Sequence, residues 1–128
     1  MVLRTYLVED NPMIRENLID TLAELANVKT VGAAGTEGEG CRWLRKNGDK
    51  WDLAIVDLFL QEGNGLGVLA SCMDRSPQQK VVVLSNYATP EMRSRCFALK
   101  ADAVFDKSNE IDALLAYCMH QASGASTH

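Results

Sequence analysis

The feature that most constrains the fold is a regular alternation of two hydrophobic patterns along the whole chain. Short β-branched and apolar runs occur at residues 2–8, 28–34, 52–57, 80–85 and 101–105. Their starts lie about 20–28 residues apart, which is the length that one strand and one crossover helix need. Segments with helical periodicity lie between these runs. Five strands alternating with helices predict an α/β domain with a parallel central sheet.

Four helix starts carry their own capping signals. Asn11 and Thr89 are each followed by proline, which is typical of an N-cap and the first helical position. Thr36 is followed three residues later by Glu39, the spacing of a capping box. Ser108 precedes acidic residues and is predicted to open the last helix.

Composition limits the classes of function. The chain has 128 residues, 47% of them hydrophobic, and a net charge of −4, so we expect one packed domain at residues 1–122 and a frayed tail at 123–128. No dense basic stripe favours nucleic-acid binding. No apolar run approaches the length of a membrane span, and the N-terminus lacks a signal-peptide pattern, which predicts a cytoplasmic protein.

Polar groups follow four of the five predicted strands. Glu9 and Asp10 follow the first, Asp57 the third, Ser85 the fourth and Lys107 the fifth. Functional groups in parallel sheets gather beyond the carboxyl ends of the strands. Three carboxylates at one edge repel one another, and Mg²⁺ is the cation that prefers such oxygen ligands. A lysine beside them can pair with an anion, so the set suits a phosphoryl group next to a nucleophilic carboxylate.

The same residues carry a resemblance to a known family. The segments "VEDN" (8–11), "IVDLFLQEGNGLG" (55–67), "VVVLSN" (81–86) and "VFDKS" (104–108) occur in the order and at the spacing of the receiver domain of two-component response regulators. The resemblance covers essentially the whole chain. It implies a flavodoxin-like (βα)5 three-layer sandwich with a five-stranded parallel sheet of order 2-1-3-4-5, an order that receiver domains are already known to have.

The resemblance also implies a role for each site residue. Asp57 would accept a phosphoryl group from a sensor histidine kinase or a phosphotransfer protein. Glu9 and Asp10 would hold Mg²⁺ together with Asp57 and the backbone carbonyl of Phe59. Lys107 would pair with Asp57 at rest and with the phosphoryl group afterwards.

Ser85 would shift to hydrogen-bond the phosphoryl group. Such a domain is a signalling module and not an enzyme in the usual sense, since it catalyses only its own phosphotransfer and dephosphorylation.

The sequence departs from the family pattern at several positions. Gln61 stands where proline is common, and Ser108 follows the lysine in place of another proline. Asn86 occupies a position that is usually very small, and Val104 the position of an aromatic residue that reports switching. These departures leave the coupling between phosphorylation and the outer surface open.

Two classes of function therefore remain. The first is a phosphorylation-dependent signalling domain that binds a partner or forms a homodimer through its fourth helix, fifth strand and fifth helix. It would have no direct nucleic-acid contact in this chain, and a DNA-binding output domain would belong to a longer regulator. The second is a constitutive interaction scaffold with a receiver fold. A hydrolase with an aspartyl nucleophile is disfavoured because it needs a second aspartate at the position of Phe59.

Overall fold

The computed structural model describes residues 2–123 and confirms the predicted α/β class. All five strands are parallel and form one sheet in the order β2-β1-β3-β4-β5. The strands are β1 (Leu3–Val8), β2 (Val28–Ala34), β3 (Leu53–Val56), β4 (Lys80–Ser85) and β5 (Ala103–Asp106). The frayed tail predicted at 123–128 lies, apart from Ser123, outside the described residues.

Five helices connect the strands and continue the chain after β5. They are α1 (Pro12–Ala23), α2 (Glu37–Lys46), α3 (Gly65–Ser71), α4 (Pro90–Ala98) and α5 (Ile111–Ala122). Within residues 2–123, none of the helices has both the length and the apolar character needed to cross a membrane.

Three of the predicted caps are present. The Asn11 side chain accepts hydrogen bonds from the backbone N–H groups of the second and third helical residues at 3.0 and 3.1 Å. Thr36 accepts from the Glu39 N–H at 3.1 Å, and Thr89 caps α4 in the same way at 3.2 Å. These local signals fix where α1, α2 and α4 begin.

The predicted start of the last helix is wrong. Helix α5 begins at Ile111, and its N-cap residue Glu110 makes no capping hydrogen bond with its side chain. Ser108 instead bonds to Asp106 through both its hydroxyl and its backbone N–H. The Asp106 carboxylate accepts these bonds two residues away, so it holds Ser108 in the turn before the helix.

The central strands of the sheet, β1, β3 and β4, are buried on both faces. Val81 and Val83 of β4 point into one core layer, and Val82 and Leu84 point into the other. The first layer is covered by α2, α3 and α4, and the second by α1 and α5. This is the three-layer sandwich expected from continuous apolar strands. It leaves the carboxyl edge of the sheet for the loops that follow β1, β3, β4 and β5.

Candidate functional site

The backbone at the start of each site loop continues the hydrogen bonding of the sheet. The Glu9 N–H donates to Ala34 O, the Asp57 N–H to Val8 O and the Lys107 N–H to Ser85 O, each at 2.9 Å. These bonds hold the functional residues at fixed positions just beyond the strand ends. The parallel register therefore brings groups that are far apart in sequence to one edge of the sheet.

Three carboxylates meet at this edge, as the sequence predicts. One oxygen atom from each of Glu9, Asp10 and Asp57 lies within 4.8 Å of the others. Glu9 is 1% exposed and Asp57 is 7% exposed. Burial raises the pKa of both carboxyl groups above their ordinary values, because desolvation opposes the charged form.

The Lys107 ammonium is the positive charge of the site. Its Nζ lies 2.5 Å from Glu9 Oε1 and 3.2 Å from Asp57 Oδ2. Burial opposes the charge on Lys107, but the hydrogen bond to Glu9 and the charge of Asp57 keep its pKa above the ordinary value. The resemblance implied pairing with Asp57 at rest. The structure places the ammonium between two acids, with Glu9 the nearer.

A cavity of about 190 Å³ opens onto these groups. Phe59 and Tyr87 both line it, although half or more of each residue is exposed to solvent. Their rings meet edge to face with centroids 4.7 Å apart. Two loops, one after β3 and one after β4, thus contribute aromatic rings to the wall of the site. The cavity is large enough for a small anion, and most of the residues that line it are polar or charged.

Ser85 and Asn86 occupy different environments. Ser85 is fully buried, and its hydroxyl accepts a hydrogen bond from the Tyr87 N–H at 3.1 Å. Asn86 is exposed and lines the cavity. In this arrangement Asn86 contributes an amide to the wall of the cavity, and the Ser85 hydroxyl accepts from Tyr87 while keeping its own O–H as a donor.

Gly65 allows the chain to turn closely behind Asp57. The Gly65 N–H donates to Leu58 O at 2.8 Å. A Cβ atom at this position would lie 2.2 Å from the carbonyl oxygen of Asp57, which no side chain tolerates. Only glycine therefore fits this turn, and the turn fixes the backbone of the central carboxylate.

Two contacts of the site residues were not predicted from sequence. The Asn11 N–H donates to Glu9 Oε2 at 3.1 Å, and the Gln61 N–H donates to Asp10 Oδ2 at 2.8 Å. Both donors are backbone N–H groups, which every residue type except proline carries, so residue types alone do not indicate these contacts. The sequence signal that bears on the second contact is Gln61 itself, since the proline common at this position has no N–H.

The donor set fits Mg²⁺. It offers carboxylate oxygens from Glu9, Asp10 and Asp57 within one small, partly open cavity, and no thiol or imidazole lies among them. Hard oxygen ligands in such a number suit Mg²⁺ and leave positions for further oxygens. The Phe59 N–H lies 3.5 Å from Asp57 Oδ1, so the backbone of Phe59 borders the same carboxylate.

A doubly wound parallel sheet of order 2-1-3-4-5 defines a flavodoxin-like α/β domain, and here its carboxyl edge carries an acidic pocket and a partly buried lysine. A family model described as the response regulator receiver domain matches residues 5–118. The chain therefore belongs to the family of response regulator receiver domains. Members of this family are signalling domains, with a phosphoacceptor role and an acidic pocket that binds Mg²⁺, and they interact with histidine kinases or phosphotransfer proteins.

Two curated relatives are similar over most of this chain. The DNA-binding transcriptional activator DevR/DosR of Mycobacterium tuberculosis is 28% identical over 90 residues, which cover 70% of this chain and 41% of the relative. The transcriptional regulatory protein YhcZ of Bacillus subtilis is 25% identical over 89 residues, with the same coverages of 70% and 41%. The matched region thus spans about two fifths of these relatives.

Solved structures share the fold. The response regulator domain of Thermotoga maritima CheB has a TM-score of 0.81 at 18% identity, covering 100% of this chain and 98% of that one. A response regulator from Burkholderia pseudomallei, with a phosphorylated aspartic acid, a calcium ion and citrate, has a TM-score of 0.77 at 22% identity. That alignment covers 98% of this chain and 71% of the other.

Proposed function

We propose that residues 1–122 form a phosphoacceptor domain in which Asp57 takes a phosphoryl group from a sensor histidine kinase or a phosphotransfer protein. The observation that carries the proposal is the placement of Asp57 Oδ2 3.2 Å from Lys107 Nζ and beside two further carboxylates. This is a nucleophile with a neighbouring cation and an oxygen-rich metal site. The membership of this chain in the receiver family supports the same phosphoacceptor chemistry.

Each residue of the site has a separate part in the phosphoryl transfer. A carboxylate oxygen of Asp57 forms a bond to phosphorus while the bond between phosphorus and the donor imidazole nitrogen breaks, and the electron pair stays on that nitrogen. Lys107 moves its hydrogen bond from the carboxylate to the transferred group, whose negative charge it offsets. Glu9, Asp10 and Asp57 would hold Mg²⁺, which when bound neutralises charge on the phosphoryl oxygens.

The experiment is intact-mass analysis after incubation with acetyl phosphate and Mg²⁺. We expect the wild-type chain to gain one phosphoryl group, and we expect Asp57→Asn and chelator-treated protein to gain none. Asp49→Asn is the matched control, since Asp49 is exposed and precedes the amino end of β3, at the opposite edge of the sheet from the acidic pocket. Labelling of Asp57→Asn equal to that of the wild type would refute the proposal.

A second candidate is a constitutive interaction scaffold. Val104 is buried in the core with 5% exposure, at the position where the family usually places its reporting aromatic ring. Arg93 of α4 donates from Nη1 to Val104 O at 2.8 Å, which ties the fourth helix to β5. If partner binding is the same before and after labelling of Asp57, the scaffold is favoured. If labelling changes binding, the domain is a switch.

The output rests on surfaces outside the pocket. We propose that phosphorylation changes partner binding or homodimer formation through the face made by α4, β5 and α5. The relative from Mycobacterium tuberculosis is named as a DNA-binding activator, and the match covers 41% of it. We therefore propose that any contact with DNA belongs to a further domain, since this chain contributes the receiver part.

A further inference from the structure

The loop between β3 and α3 is closed on itself and also bonds to the loop after β1 and to the first residue of α2. The Gly65 N–H donates to Leu58 O, and Phe59 and Asn64 form an antiparallel bridge. The residues between them, 60–63, form the tip of this loop. The backbone of Asp57 and Phe59 lies at its base. The position of the tip therefore bears on the geometry of the acidic pocket.

The tip contacts Asp10 directly. The Gln61 backbone N–H donates to Asp10 Oδ2 at 2.8 Å, although the two residues are 51 positions apart in sequence. This hydrogen bond holds one oxygen of the Asp10 side chain against the loop tip. Because Oδ2 is held by the loop, Oδ1 is left as the oxygen with no loop partner.

Glu37, the first residue of α2, supports the same tip. Its carboxylate accepts from the Asn64 N–H at 2.8 Å, and its backbone N–H donates to Glu62 O at 3.1 Å. Gly63 adopts a φ of 81°, and a Cβ atom there would lie 2.3 Å from Cβ of Glu37. The tip thus rests against Glu37 on one side and is bonded to Asp10 on the other.

We propose that the Gln61 backbone N–H is a positioning group for the metal site, and that Glu37 keeps it in place by anchoring the loop tip. The N–H orients Asp10 so that its second oxygen serves the cation. The idea rests on the proposed function only in taking Asp10 as a Mg²⁺ ligand. The proline common at this position in the family has no N–H and could not make this hydrogen bond.

The test is a comparison of two variants at one position. Gln61→Pro removes the N–H, and Gln61→Ala keeps it while removing an exposed side chain. Isothermal titration calorimetry with Mg²⁺ alone gives the dissociation constant of each. We expect Gln61→Ala to bind within about twofold of the wild type and Gln61→Pro to bind about tenfold more weakly, as for lost partners of metal ligands.

The outcomes separate the two proposals. Equal Mg²⁺ affinity in the wild type and a folded Gln61→Pro would overturn the positioning role alone. A wild-type chain that does not bind Mg²⁺ at all would overturn the metal site itself and the positioning role with it. An equally weak Gln61→Ala would assign the effect to the side chain and also overturn the proposal.

A second measurement does not depend on the proline variant. Amide hydrogen exchange by NMR should show the Gln61 N–H protected in the wild-type protein, both without and with saturating Mg²⁺, because the bond to Asp10 is kept. Glu37→Ala should raise its exchange rate and weaken Mg²⁺ binding, whereas Glu62→Ala, on the same tip, should do neither. Rapid exchange of this amide in Mg²⁺-saturated wild type would contradict the proposal.

Discussion

Lys107 lies closer to Glu9 than to Asp57, with contacts of 2.5 and 3.2 Å. The pair with Glu9 is also the more buried, since the Glu9 side chain is 2% exposed and that of Lys107 10%. The lysine therefore has a structural role in addition to any role at the phosphoryl group. It neutralises a carboxylate that the fold has removed from water.

Substitution of Lys107 should reveal this structural role as a loss of stability. We expect Lys107→Met to lower the free energy of unfolding at neutral pH by about 3 kcal/mol, because a buried charge loses its partner. Burial already raises the pKa of Glu9. Because the pKa of Glu9 is raised in the folded state, its contribution to stability is fully present below the ordinary pKa of a glutamate. That contribution is lost as the pH rises through the folded-state pKa.

The deficit of Lys107→Met relative to the wild type should therefore shrink at acid pH, where Glu9 is neutral. Urea unfolding at several pH values measures it. The double variant with Glu9→Gln should recover most of the loss. A deficit that is constant with pH, or that grows in acid, would contradict this explanation.

Asp57→Asn should stabilise the metal-free protein. Burial raises the pKa of Asp57, which means that folding disfavours its charge above that pKa. A neutral side chain of the same shape removes this cost, and we expect a gain of about 1 kcal/mol in chelator. Urea unfolding with chelator and with Mg²⁺ provides the measurement.

With Mg²⁺ present, the wild type should gain more stability than Asp57→Asn, because the cation binds the folded state with three carboxylates in one and two in the other. An asparagine variant that is less stable than the wild type in chelator would show that the charge is accommodated without cost.

Arg93 should hold the fourth helix to its neighbours. Its guanidinium donates to Ala88 O at 3.0 Å, to Val104 O at 2.8 Å and to Glu110 Oε1 at 2.7 Å. Loss of the two carbonyl contacts should make Arg93→Ala less stable by about 1–2 kcal/mol. Thermal unfolding measures the change, and Arg95→Ala, on the same helix and exposed, is the control. Equal losses of stability in the two variants would refute this role of Arg93 in holding α4.

The cysteines should react with an alkylating reagent at very different rates. Cys41 is half-buried, whereas the other three are buried. Burial raises the pKa of Cys72 to about 11 and that of Cys118 to about 12, so few thiolates form at neutral pH. Mass analysis of the native protein after brief iodoacetamide treatment should find the label on Cys41. Cys41→Ser should leave the native protein nearly unlabelled until it is unfolded.

Much of the fold could be predicted because its signals are local. The run at 80–85 matches β4 at both ends, since a central strand buried on both faces is continuous in hydrophobicity. The run at 28–34 also matches β2, although most residues of this edge strand are only partly buried or exposed. Asn11, Thr36 and Thr89 were recognisable because a cap depends on residues two or three positions away. The prediction for Ser108 was wrong for a related reason. Asp106, two positions before it, competes for the same hydroxyl.

The site could be predicted only as a set of residues at one edge. The sequence places Glu9, Asp57 and Lys107 at strand ends, and the parallel sheet brings strand ends together. It does not show which acid is nearer to the ammonium, because that depends on side-chain geometry between residues 98 positions apart. The bond from the Gln61 N–H to Asp10 was equally invisible, because every residue except proline carries that donor.

Gly65 has a practical consequence for anyone who redesigns the rim of this sheet. Because a single methyl group at this position would overlap the carbonyl oxygen of Asp57, random libraries that include codon 65 will lose nearly all their folded members there. Leaving that codon constant while varying the exposed positions 61 and 62, with proline left out at 61, would let the loop tip be rewritten while the turn behind the central aspartate is kept.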